Sequence, residues 1–325
     1  MGKRELSSER STFVEIIRNY SVIFTALVLV GIGLIMTGGL FISPDNLINV
    51  GDRAAVIGIV AIGQMLVILT GNIDLSVSGI MAVGLGVGSE LMKVGGVPFQ
   101  VIIMLMLVAT TGCGALNGLM VSRTKIPAFM LTLGTFMVYT SLGLVITRAQ
   151  SMGFRPLQEW INSSLVMDNR LFSIIMWLAL GVFFIFVLQS TKFGKNVYAT
   201  GANELASTMS GVKTRQVKFA VYLITGALCG LSALTMMYRL GQMNVSTTGS
   251  YQIESIASVV VGGASLNGGE GNVYGTLIGA FIMAALLNLL NIYGVGVYEQ
   301  NIIKGLVLLG FVILSNWLTS SKKGR

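Results

Sequence analysis

The chain has 325 residues, of which 54% are hydrophobic and only 10% charged, and it contains no histidine. That balance excludes an ordinary soluble globular domain and places the chain in a membrane. The net charge of +8 does not point to nucleic acid, because the cations flank apolar runs and no basic stretch is interleaved with aromatics that would stack bases.

A stretch of roughly 20 apolar residues crosses about 30 Å of hydrocarbon. In chain order, the N-terminal segment 1–20 comes first, with Phe13, Ile16, Ile17 and Tyr20 at helical spacing. It predicts a short amphipathic helix on the inner surface. Uncharged runs follow near 19–44, 54–73, 94–122, 126–147, 171–191, 219–238 and 271–298. The first has a charged leader without a small-residue cleavage signature and reads as a retained helix. Shorter runs at 75–89, 255–269 and 305–321 read as short spans or as broken, re-entrant helices.

The predicted fold class is therefore an all-α polytopic membrane protein with about ten transmembrane helices. It has one transmembrane domain over 21–318, a cytoplasmic segment at 191–218 and a basic cytoplasmic tail at 319–325. With ten crossings, fourteen of the 21 Lys and Arg fall on inner segments, and the positive-inside bias then sets both termini in the cytoplasm.

Four GxxxG pairs, Gly84/Gly88, Gly114/Gly118, Gly226/Gly230 and Gly275/Gly279, predict helices that approach closely where lipid supplies no hydrophobic drive for association. Cys113 and Cys229 both fall inside spans and read as small buried hydrophobes.

The run GNIDLSVSG, from Gly71 to Gly79, puts a carboxylate between two apolar stretches. An ionised carboxylate at the centre of a spanning helix costs about 2.5 to 3.5 kcal/mol, so Asp74 is expected where a helix is interrupted. Gly71 and Asn72 supply the interruption. Asp74 is then predicted to cap a helix starting at Leu75 by accepting from the amide of Ser76 or Val77. On the alternative reading the same hairpin walls a solute pathway, with Asn72 or Ser76 hydrogen-bonding the solute.

A second break, at 254–275, places Glu254, Asn267 and Glu270 around a short apolar run with glycine-rich edges. Paired discontinuous helices of this kind build solute sites in transporters. The candidate pathway wall comprises Gln64, Asn72, Asp74, Ser76, Asn117, Gln242, Asn244, Asn267, Asn288 and Asn291, mostly neutral groups suited to hydroxyl partners. Each taken singly reads first as an interhelical hydrogen bond.

In the inner segment, Asn203 is a plausible N-cap, Glu204 suits a first turn, Leu205 and Met209 share a face, and Gly211 stands where a helix ends. This predicts a helix of about two turns, either a connector or a lever that slots into a cytoplasmic partner. The outer loop 148–170 carries Arg148, Arg155 and Arg170, candidates for docking a partner with an acidic rim.

Four ordered stretches carry a family resemblance: GNIDLSVSG, FGKNVYATGANELASTMSGVKTRQVK, VVVGGASLNGGEGNVYGTLIGA and NIIKGLVLL. From about residue 46 to 315 the chain resembles the ribose-type sugar permeases of ATP-binding cassette importers. The resemblance implies a fold similar to the cobalamin importer permease, in the bacterial inner membrane. It also implies a second permease chain, identical or paralogous, a cytoplasmic ATPase below and an extracytoplasmic sugar-binding protein above. On this resemblance the coupling element falls on Asn203, Glu204, Ala206 and Gly211, with Arg215 just beyond. Asn72, where many relatives have glycine, and the charged pair Asp52 and Arg53 depart from the family pattern and leave the solute open.

No GxxxxGK[ST] phosphate loop occurs, consistent with ATP hydrolysis on another chain. No metal or cofactor is expected. The alternative class is an ion- or proton-coupled secondary transporter with Asp74, Glu254 and Glu270 as ion ligands. An intramembrane enzyme lacks its nucleophile and base.

Overall fold

Glycine and polar interruptions set where each apolar run stops being helical. The computed structural model describes residues 22–153 and 169–323. The amphipathic stretch at 13–20, Arg155 and the side chains of the tail at 319–325 lie outside the described residues. In chain order the helices are α1 (Val22–Met36), α2 (Pro44–Leu69), α3 (Val77–Val94), α4 (Phe99–Arg123), α5 (Ala128–Thr147), α6 (Asn169–Ser190), α7 (Lys192–Ala202), α8 (Glu204–Met209), α9 (Thr214–Leu240), α10 (Tyr251–Val261), α11 (Val273–Ile292) and α12 (Val297–Lys323). Seven of them, α2 to α6, α9 and α11, are long and apolar enough to cross a membrane. The fold is all-α and polytopic, as predicted.

Three boundaries differ from the hydropathy reading. Helix α2 starts at Pro44 and not near 54, so it takes Asp45, Asp52 and Arg53 into the helix; proline at the first position is pre-set for helical φ. The run at 75–89 becomes the full-length helix α3. The run at 305–321 lies within α12, which begins at Val297 and carries Lys304 inside it. Of the charges that hid these boundaries, Asp45, Asp52, Glu90, Lys93 and Lys304 are in ion pairs within the protein, where hydropathy does not register them, and Arg53 has no ion pair among the described residues. Helix α7 was not anticipated; Thr191 caps it by accepting from the Gly194 N–H at 3.2 Å.

Helix α2 is the axis of the bundle. From Val50 to Thr70 every residue except Arg53 is buried, beneath α6, α9, α10 and α11. The four GxxxG pairs each face a neighbouring helix. Gly114 of α4 lies against the Tyr222 carbonyl and Gly226 of α9, and Gly226 in turn lies against the Thr110 carbonyl. Gly275 and Gly279 bring α11 onto the Gly262 and Ser258 carbonyls at the end of α10, while Gly84 and Gly88 seat α3 on Thr110 and Met106. A methyl group on Gly114, Gly226, Gly275 or Gly279 would meet backbone, and one on Gly84 or Gly88 the Thr110 or Met106 side chain, which is why small residues permit these seams. The outer faces of α4 and α5 present Met104, Val108, Met137, Val138 and Val145.

At one end of the bundle, β1 (Met152–Gly153) pairs antiparallel with β2 (Gln242–Met243), in the register Met152 to Met243 and Gly153 to Gln242. This ties the segment after α5 to the connection between α9 and α10.

Candidate functional site

The first break is closed by side chains. Gly71, at φ +76°, turns the chain out of α2, and Asn72 folds back to donate to the Thr70 carbonyl and hydroxyl at 3.2 and 3.1 Å. Asp74 is completely buried. Its Oδ1 accepts from the Ser76 N–H at 2.7 Å and from the Ser76 hydroxyl at 2.6 Å. The expected bond from the Ser76 N–H is present, but the helix start is corrected: α3 begins at Val77 with Ser76 in the N-cap position, and Asp74 closes the turn before it. The first helical bond runs from the Ile80 N–H to the Ser76 carbonyl at 2.8 Å, while the Leu75 N–H goes to Thr132 of α5.

Hydrogen bonds carry this turn into two neighbouring helices. The Asn117 amide of α4 donates to Ser76 Oγ at 2.7 Å, and the Tyr139 hydroxyl of α5 donates to Asn117 Oδ1 at 3.2 Å. The Leu75 N–H donates to the Thr132 hydroxyl of α5 at 3.0 Å. With its amide turned so that both polar ends are satisfied, Gln64 donates to the Asp74 carbonyl at 3.0 Å and accepts from its N–H at 3.3 Å. Tyr139 and Thr132 were not anticipated, since an isolated hydroxyl in an apolar helix carries no sequence signal.

The second break is closed by backbone. After α10 the chain runs through Gly263, Gly268 and Gly269, all at positive φ, before Asn272 caps α11 by accepting from the Gly275 N–H at 2.6 Å. The Gly269 N–H donates to the Leu69 carbonyl at the end of α2, at 3.0 Å. A Cβ on Gly268 would come within 2.8 Å of the Gly71 Cα, and one on Gly201 of α7 would strike the Leu69 carbonyl. The Tyr198 hydroxyl of α7 donates to the Gly271 carbonyl at 2.8 Å, and burial pushes this phenol above its usual range, so it stays a donor. The two breaks and α7 therefore meet at one junction.

Helix α8 hangs from that junction. Asn203 caps it, accepting from the Ala206 N–H at 2.9 Å. The Ser207 hydroxyl donates to the Ala199 carbonyl of α7 at 2.7 Å, and Glu204 pairs with Lys218 of α9 at 2.7 Å. Gly211 ends the segment at φ +85° with open space around it. Ala206 and Arg215 are exposed. Leu205 and Met209 are 70% and 81% exposed, an apolar pair left open by the described residues.

Charges collect at the opposite end. Asp52 of α2 pairs with Arg239 of α9 at 3.0 Å, and Glu254 of α10 with Lys304 of α12 at 3.0 Å. Asp52, Glu254 and Lys304 are buried. Hydropathy had set Arg239 and Lys304 in outer loops; pairing is what lets them enter the helices.

The predicted wall residues thus separate. Gln64, Asp74, Ser76 and Asn117 come together, all fully buried, and in this conformation they bond one another out of a solute's reach. Asn72 bonds locally, and Asn267 is exposed on the second break. Asn288 exchanges hydrogen bonds with Asn46 at 2.9 and 3.1 Å, while Asn291 accepts from Gln300 at 2.8 Å. Gln242 lies on β2, and Asn244 caps a short turn by accepting from the Ser246 N–H at 3.0 Å. Of the docking arginines, Arg148 terminates α5 in a left-handed conformation at φ +53°. Arg170 donates to Asn49 at 3.0 Å and approaches Asp45 at 3.5 Å.

Residues 46–315 match the family described as the branched-chain amino acid transport system permease component. The chain is 33% identical to the ribose import permease protein of Haemophilus influenzae, covering 92% of this chain and 94% of that one. It is 35% identical to the ribose import permease protein of Bacillus subtilis, covering 84% and 85%. The fructose import permease protein of Rhizobium meliloti is 29% identical over 91% of this chain and 84% of its own. No solved structure matches the chain. Its polytopic bundle, its two broken helices and these relatives make one statement: the chain belongs to the family of multi-pass membrane permease subunits of ATP-binding cassette import systems.

Proposed function

We propose that this chain forms the translocation pathway for a monosaccharide or similar polar solute, energised by a separate cytoplasmic ATPase and supplied by an extracytoplasmic sugar-binding protein. The observation that carries the reading is α8: a capped, ion-paired helix with an uncovered apolar pair, fastened through α7 to the place where both broken helices meet. Leu205 and Met209 seat in a groove of the ATPase, with Asn203, Glu204, Ala206, Gly211 and Arg215 around the contact. A displacement of α8 then reaches α2 and the second break through close-packed backbone, and close-packed matter transmits shifts with little slack.

Beside the seven long helices, we count α1, α12 and the pair formed by α10 and its following loop as spans, for ten crossings. Both termini then share the cytoplasmic side with α8, which agrees with the positive-inside count. The wall lies between two permease chains, identical or paralogous, in one lipid-embedded domain over 21–318 similar to the cobalamin importer permease. Asn267 and Asn291 are the wall candidates most exposed in this state, and Gln242 and Asn244 are partly so. Arg148 and Arg155 are the docking candidates for the binding protein, with Arg170 anchoring the same loop to α2.

Reconstitution with an ATPase and a binding protein in proteoliposomes tests the reading. ATP-dependent uptake of ribose or fructose that disappears in Glu204→Arg and Gly211→Trp, with both variants still inserted in the membrane, is the expected result. Uptake by this chain alone under an ion gradient, without ATP, would overturn it in favour of a secondary transporter. The geometry already weighs against that class, because Glu254 is neutralised by Lys304 and Glu270 is exposed, so the three candidate ion ligands are not gathered.

A further inference from the structure

Helix α2 is sealed from Val50 to Thr70 at every position but Arg53. The axis of the bundle is thus reachable from outside the chain at one level, at the end away from α8. The guanidinium there has no hydrogen bond or ion pair with any described residue. The titratable groups that face it are Glu254 and the neutral Tyr251 phenol of α10 and Arg239 of α9. Glu254 is already held by Lys304 and Arg239 by Asp52, each at 3.0 Å. Arg53 is therefore the surplus cation of a cluster otherwise matched charge for charge, and its planar fork of five N–H donors is left unspent. It stands beside the first turn of the half-helix α10, and discontinuous helices are where membrane transporters place their solute contacts.

We propose that Arg53 is a solute-contacting residue at the outer mouth of the pathway, donating to adjacent hydroxyl oxygens of a sugar before it passes inward. This rests on the sugar-import reading above and adds the residue that meets the solute. The two flanking ion pairs hold α2, α9, α10 and α12 around the guanidinium, so the fork is fixed in place while remaining open on one side. A site with donors in surplus and, among the described residues, no free carboxylate at its opening accepts oxygen-rich solutes and repels cationic ones. Lysine would keep the charge and lose the bidentate geometry.

The test uses the permease reconstituted with its ATPase and binding protein, on a Cys113→Ser/Cys229→Ser background. Arg53→Cys is expected to react with a membrane-impermeant anionic thiosulfonate at least tenfold faster than Ala54→Cys or Ile57→Cys, whose side chains are buried. Equal slow reaction, or fast reaction only after detergent extraction, overturns the proposal, the latter because lipid or a second chain then covers the site. ATP-dependent uptake of ribose or fructose is expected to fall at least tenfold in Arg53→Gln and to recover in part in Arg53→Lys, with co-purification of the ATPase unchanged. Uptake by Arg53→Gln at the wild-type rate overturns the contact alone. A wild-type complex that moves none of a panel of pentoses, hexoses and polyols overturns the sugar reading and the contact with it.

Discussion

At the α8 end of the bundle, α2, α7 and the second break touch through glycines and carbonyls, with Gly201, Gly268 and Gly71 admitting backbone to backbone. At the other end, α2, α9, α10 and α12 are joined by Asp52–Arg239 and Glu254–Lys304. The first kind of joint is short-ranged and stiff: any added atom must displace main chain. The second is directional and works through side chains that can exchange partners. On the proposed reading, with the push arriving at α8 and cargo entering at the other end, this division keeps the shape of one end while the other can reorganise.

Substitution at the stiff joint should have the largest effect. Gly201→Leu drives a side chain into the Leu69 carbonyl, and is expected to abolish recovery of monodisperse protein from detergent as well as transport. Gly211→Ala provides the contrast, since open space surrounds it and only its left-handed φ resists; a loss of about 1 to 2 kcal/mol in thermal stability is expected.

The charged end should respond next. Lys304→Met leaves Glu254 buried and unpaired, with an expected loss of about 3 to 5 kcal/mol. The double variant Glu254→Gln/Lys304→Met should recover most of it, as read by thermal unfolding of the purified protein. If the double variant is no better than the single one, the joint is not held by charge.

Smaller effects follow within the first break. Tyr139→Phe removes the outermost donor of the chain that ends on Asp74, for about 0.5 to 1.5 kcal/mol. Asp74→Asn keeps an acceptor for the Ser76 N–H and should be milder than Asp74→Ala, which removes both bonds. The smallest stability change belongs to Glu204→Gln. Its pair with Lys218 is half exposed, and such pairs contribute about 0.2 to 1 kcal/mol and weaken with salt. If transport nevertheless falls sharply in that variant, the pair serves coupling and not folding.

The sequence by itself determined the class of the protein, the positions of both breaks and the capped helix at 203–211. Each is a local matter: hydropathy over about 20 residues, glycine and asparagine where the chain must turn, and a polar cap where a helix starts. Only the tertiary structure decided that Asn117 of α4 meets Ser76, that Glu254 meets Lys304 fifty positions away, and that α2 reaches back to Pro44. Those outcomes depend on partners remote in sequence. A charge reads as unsuited to a membrane until the opposite charge is brought beside it by the fold.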